Sequence, residues 1–263
     1  MLNITPLTKE RISKSTERLN KIKRLVDKYN LVYNKYSGRY DCLGNFIFEQ
    51  SVSGDDSDIL TENGHFIVPF GTVMGDFICT HCDTLTTMFN APKEVIGNFE
   101  CQFCENLESM YGAPNIVEGT FDCSHCVKLT SMKGAPQLVG KDFICDYCDS
   151  LVDLNGMPQS IQNNVSFTYC SNLKTLEGAP QTVAGDFNCS GCNNLQSLEH
   201  LPTIGGKANV PFHLMDSYFA EWQRKSSPQK TENKGVPNIE NIERLVDKIS
   251  KNVSSAFVKN KYF

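Results

Sequence analysis

The sequence predicts a repeat solenoid: 22-residue coils, each a short β-strand followed by irregular turns, with α-helical flanks at both ends. Three observations carry that reading. Cys82, Cys104, Cys126, Cys148, Cys170 and Cys192 recur every 22 residues without a slip. In the same register run Phe77, Phe99, Phe121, Phe143, Val165 and Phe187, and a leucine column from Leu85 to Leu195. Pro92, Pro114, Pro136, Pro158, Pro180 and Pro202 close the units. A fixed period of this length marks an array whose units bury their apolar side chains only by stacking on one another.

Each unit reads F-x-C-x-x-C-x-x-L-x-x-M/L. The Phe and the first Cys stand two apart, so they point to one side of a short strand. The G-A-P ending supplies a turn, with proline fixing its own φ and holding its predecessor extended. The first cysteine column, Cys79, Cys101, Cys123, Cys145 and Cys189, is interrupted by Phe167. A position that accepts either a thiol or a benzene ring is an apolar packing position, because no metal exchanges a thiolate for a phenyl group.

The zinc alternative is therefore set aside, although Cys79, Cys82, Cys101 and Cys104 have the spacing of a zinc ribbon. Ribbon knuckles favour glycine after the second cysteine, and Asp83, Glu105, Val127 and Asp149 stand there instead. Five intact pairs also do not divide into four-cysteine sites. Disulfides between coils satisfy the Cα separation that such a bond needs. They do not suit a reducing compartment, which is expected because "MLNITPLTKERISKS" lacks the apolar core of a secretion signal. The expectation is free thiols, no metal and no cofactor.

The unit also resembles the leucine-rich repeat, whose L-x-x-L-x-L-x-x-N/C-x-L signature falls on Val95, Phe99, Cys101 and Cys104. That resemblance implies a leucine-rich-repeat-like coil in which Cys82 and its equivalents form an internal ladder bonded to backbone carbonyls of the bend. More narrowly, "GDFICTHCDTLTTM" and "GAPQTVAGDFNCSGCNNLQSLEHLP" resemble short repeats encoded by large tailed, T4-like bacteriophages. The likeness covers residues 66–206. It implies a viral protein working in the cytoplasm of an infected host cell, and says little about its task.

An open solenoid needs caps over its terminal coils. Residues 1–65 are read as the first: a helix over 8–29 with Ile12, Leu19, Ile22, Val26 and Tyr29 on one stripe, then imperfect coils in "GRYDCLGNFIFEQ" and "GHFIVPFG". Cys42 belongs to their core. The acidic "SVSGDDSDILTENG" is read as a polar loop, without the spaced oxygen ligands of a calcium-binding EF-hand. The solenoid proper spans 66–206. A capping helix, 207–225, follows, with Phe212, Met215, Tyr218, Phe219 and Trp222 sealing the last coil. Residues 226–237 form a polar linker to a last helix and tail over 238–263, where Leu245 and Ile249 share an apolar side. Arg24 to Lys28 repeats as Arg244 to Lys248, so the two terminal helices are candidates for docking on a partner or pairing copies of the chain.

Charge narrows the function. Residues 1–40 carry ten Lys/Arg against three Asp/Glu, whereas residues 76–206 carry five against fifteen. An acidic body repels phosphate backbones, so the solenoid is not expected to bind nucleic acid. No run of about 18 apolar residues is present to span a bilayer. No phosphate-cradling loop, nucleophile elbow or H-E-x-x-H helix occurs, and adjacent pairs such as His81 and Cys82 point apart in extended chain. The protein is therefore expected not to be an enzyme.

What stands out is the column ahead of the second cysteine: His81, Phe103, His125, Tyr147, Tyr169 and Gly191. At a coil spacing of about 4.8 Å, five rings make a ridge about 20 Å long. They either shield the cysteine ladder or anchor a partner. Glu100, Asp122 and Asp146, with Asp83, Glu105 and Asp149 nearby, form an acidic rim that favours a basic protein. The expected function is a protein-interaction module, a phage protein binding a host or defence protein. The alternative is a virion or assembly component attached through its terminal helices.

Overall fold

Stacking of the coils is decided by two apolar positions on either side of a bend. The computed structural model describes residues 9–49 and 57–226, and in it each coil carries two short strands where the sequence suggested one. Glu94–Val95 and Phe99–Glu100 are one such pair, separated by the bend over 96–98. The extra strand arises because the Val95 column is as fully buried as the Phe99 column, which fixes the chain in extended form on both sides of the bend. The result is a β-solenoid of about six regular coils with one imperfect coil ahead of them.

Equivalent strands pair in parallel and in register: Phe77 with Phe99, Phe99 with Phe121, Phe121 with Phe143, Phe143 with Val165. These form an eight-stranded sheet that runs from Phe46–Glu49 to Ala208–Asn209. Strands ahead of the bend form a six-stranded sheet and, in the later coils, a three-stranded one. Between them lies the core, where the Phe, both cysteine, leucine and Met/Leu columns are buried over most of their length. Phe77, Phe99 and Phe121 stack with centroids 5.3 and 5.5 Å apart.

The bend carries a polar ladder whose residues are visible in the G-D/N-F motif but whose role is not. Asn98 donates its backbone N–H to Asp76 Oδ1 at 2.7 Å, and its own Oδ1 accepts the Thr120 N–H at 3.0 Å. Asn164, Asp186 and Lys207 continue the pattern, each N–H meeting the side chain one coil earlier. A Cβ at Gly97 or Gly185 would strike the Asp76 or Asn164 side chain below, which is why glycine precedes the motif.

The flanks carry helices beside the coils but differ from the expected spans: the stretch read as a capping helix over 207–225 begins with a strand, Ala208–Asn209. The first helix is Lys9–Tyr29, and its deepest residue is Leu25, fully buried; Leu19, placed on the apolar stripe by spacing, is 63% exposed. Ile22, Val26 and Tyr29 pack on the core, Tyr29 with its ring 4.3 Å from that of Phe46. The supposed polar loop is partly core. Ser57–Leu60 forms a helical turn that buries Ile59 and Leu60, followed by a hairpin of Thr61–Glu62 with His65–Phe66. Cys42 is buried as expected.

The chain divides into two units, Met1–Ala220 and Glu221–Phe263. Near the end of the first, a 3-10 turn, Phe212–Leu214, leads into a helix, Met215–Ser226, which runs past that boundary. Leu214, Met215 and Tyr218 cover the core, but Phe212, on the 3-10 turn ahead of the helix, is 91% exposed and Phe219 also faces outward. The linker and last helix, with Leu245 and Ile249, lie outside the described residues.

Candidate functional site

The turn between the two cysteines of each coil builds the site. In the second coil it runs Cys101, Gln102, Phe103, Cys104, with both cysteine side chains turned into the core and Phe103 held outside. Such a turn needs a left-handed residue, and φ is 55° at His81, 58° at Phe103, 60° at His125 and 56° at both Tyr147 and Tyr169. In the last coil glycine takes the position, at Gly191 with φ 77°. The Phe103 N–H still donates to Ser124 O at 3.0 Å, so the ring sits on hydrogen-bonded backbone.

The five rings form one continuous stack. Centroid separations are 4.6 Å from His81 to Phe103, 4.4 Å on to His125, 4.6 Å to Tyr147 and 5.1 Å to Tyr169, with planes within 14° of parallel. The three inner rings, Phe103, His125 and Tyr147, therefore spend both faces on their neighbours and present an edge outward. Phe103, Tyr147 and Tyr169 remain 38%, 40% and 54% exposed, a row of apolar surface that the fold leaves uncovered. Edge presentation closes the ring faces to an incoming cation, so recognition of positive charge falls to the flanking carboxylates.

Those carboxylates are of two kinds. Asp122 Oδ1 accepts the Ser124 N–H and hydroxyl, and its Oδ2 accepts Gln102 Nε2. Asp146 Oδ1 accepts the Ser166 hydroxyl and the Thr168 N–H. Both are half-buried and engaged in holding coils together. Glu100 pairs in register with Asp122, and its carboxyl is pushed above the usual range by partial burial first and by the Asp122 charge second. Asp83, Glu105 and Asp149, two residues beyond their rings, are the exposed members. Lys128 stands in the same region and donates to Asn106 Oδ1.

Inside the turns the thiols make a second, buried constellation. Second-column sulfurs donate to carbonyls one coil earlier: Cys104 to Cys79 O, Cys126 to Cys101 O, Cys148 to Cys123 O, Cys170 to Cys145 O and Cys192 to Phe167 O, at 2.9 to 3.3 Å. These five form an internal ladder, whereas Cys82, expected to be its first member, meets Thr80 O in its own coil at 3.8 Å. Phe167 contributes its carbonyl as a cysteine would, which explains why a ring is tolerated there. All twelve cysteines are free and buried. Burial pushes the thiols of Cys79, Cys101, Cys123 and Cys145 well above their ordinary value.

One group of three breaks the regularity. Cys123 Sγ lies 3.0 Å from Cys145 Sγ, which lies 3.3 Å from Cys148 Sγ, and all three sulfurs are within 4.8 Å of one another. Sequence spacing points instead to the C-x2-C pairs. Only the superposition of coils brings two first-column thiols to one second-column thiol.

No protein-family model, curated protein or solved structure matches the chain. Among the described residues no helix is long and apolar enough to cross a membrane.

Proposed function

We propose that the protein is a non-catalytic interaction module that docks a basic protein segment along the ridge from His81 to Tyr169. One observation carries the reading: five ring-bearing residues occupy left-handed positions that the last coil gives to glycine. A left-handed φ costs a residue with a Cβ about 1–2 kcal/mol. Parallel ring contacts return about 0.5–1.5 kcal/mol per pair. Folding alone thus gains little from rings here, while outward edges of Phe103, Tyr147 and Tyr169 supply rigid apolar anchors of the type that dominates interfaces. Exposed Asp83, Glu105 and Asp149 select a partner of positive charge and oppose a second copy of the same ridge. The phage resemblance makes a host or defence protein the natural partner, in the host cytoplasm.

The test is capture of partners with the full-length protein, followed by reconstitution of any identified partner from purified components. Binding should be lost in the Phe103→Gly, Tyr147→Gly, Tyr169→Gly triple variant, with the fold intact. It should weaken as salt rises, and survive Val152→Ser, a change of an exposed residue outside the ring column. A reconstituted partner that binds the triple variant as well as the parent chain rejects the ridge.

A further inference from the structure

We infer that Cys123, Cys145 and Cys148 form a three-thiolate site for one soft monovalent cation, Cu(I). The inference stands apart from the ridge and rests on the sulfur geometry. Two first-column thiols and one second-column thiol recur as Cys79, Cys101 and Cys104, and again as Cys101, Cys123 and Cys126. Among the described residues only the set at Cys123, Cys145 and Cys148 closes to within 4.8 Å on all sides.

The reason is local. In the coil beyond Cys145 the first column holds Phe167, whose ring lies 6.2 Å from that of Phe143 and 6.5 Å from that of Phe187. Cys145 therefore has a first-column sulfur on one side only, at Cys123, and turns its own Sγ toward Cys148 in the same coil. The break that identifies the column as packing is also what gathers three sulfurs at its edge.

Donor chemistry selects the ion. Three thiols with no oxygen or nitrogen ligand in the group favour soft metals. Zinc takes four ligands, commonly with water completing the set. All three residues here are 0% exposed, so bulk solvent does not reach the site to supply a fourth ligand. Cu(I) is satisfied by two or three thiolates. On binding, Cu(I) displaces thiol protons to solvent; three Cu–S bonds form, and no electron is transferred.

The experiment is an anaerobic titration of the reduced, full-length protein with Cu(I) buffered by bathocuproine disulfonate. One equivalent should be retained, with thiolate-to-copper charge-transfer absorption and three sulfur neighbours by X-ray absorption. Cys145→Val and Cys148→Ala should each lose at least tenfold in affinity, with unchanged circular dichroism, while Cys101→Ala and Cys189→Ala should match the parent. Failure of the parent chain to hold copper against the chelator would overturn the assignment. So would equal retention by Cys145→Val, or equal loss in Cys189→Ala. If the Cys145 and Cys148 variants do not fold, the sulfur count at the ion in the parent chain decides: two sulfurs, or any light-atom ligand, rejects the site.

Discussion

Tyr169 lays its ring on Gly191: a Cβ added to that glycine would stand 2.5 Å from Tyr169 Cδ1. The ridge therefore ends by covering the next coil's turn, where the Tyr169 ring occupies the space a Cβ would take and φ is 77°. Gly191→Ala should lower stability by about 1–3 kcal/mol, read as a shift of the urea midpoint without a change of slope.

At Tyr147 the same forces oppose one another. Tyr147→Ala keeps the left-handed strain and forfeits the contacts with His125 and Tyr169; Tyr147→Gly forfeits the contacts and relieves the strain. The glycine variant should be the more stable of the two by about 0.5–1 kcal/mol and lie within about 1 kcal/mol of the parent. A glycine variant far less stable than that would mean the ring shields the core and is not held for binding.

The polar ladder at the bend should be as sensitive as the apolar core. Asn98→Ala leaves the Thr120 N–H without its acceptor, an expected loss of about 1–3 kcal/mol. Asn98→Asp restores an acceptor of the type found at Asp76 and Asp186, and should recover most of that loss in the same denaturation assay.

The thiols should be inert until the coils open. All twelve are buried, and those of the first column are also raised by burial, which suppresses the reactive thiolate. In the native, metal-free protein Ellman's reagent should react far more slowly than with a free thiol, whereas 6 M guanidinium should release all twelve at once. Rapid native reaction of several thiols would contradict the stacked column.

Glu100 gives the stability a defined pH slope. Its folded carboxyl is raised from the ordinary value of 4.5 by partial burial and by Asp122, so the folded state holds the proton more tightly than the unfolded chain. Its contribution is full below that value and declines as pH rises through the folded pKa, the opposite of the usual salt-bridged acid. Glu100→Gln should flatten the slope above pH 4.5 and raise stability at neutral pH, measured by thermal melts across pH.

Legibility from sequence followed burial. Columns buried in every coil, such as Cys104 and Leu107, recur as identical letters, and those of Phe99 and Cys101 change only once each, at Val165 and Phe167, so all four were readable at sight. Asn98 was visible as a letter but not as a hydrogen-bonding device, since Asp and Asn alternate there and only the partner N–H one coil away defines the role. At the caps, where no repeat supports the reading, helical spacing assigned Leu19 and Phe212 to the interior and both face solvent. The ring column was evident in the sequence, but nothing in its letters told of left-handed turns or of edges facing outward.

The sequence by itself determined the 22-residue period, the identity of the core columns and the placement of the rings at one position of the coil, because periodic burial leaves a periodic trace. Only the tertiary structure decided the second strand, the parallel stack with its exposed edges, and the meeting of Cys123, Cys145 and Cys148. Those depend on how residues 22 apart are superposed in space, and a separation set by the stacking of coils has no counterpart along the chain.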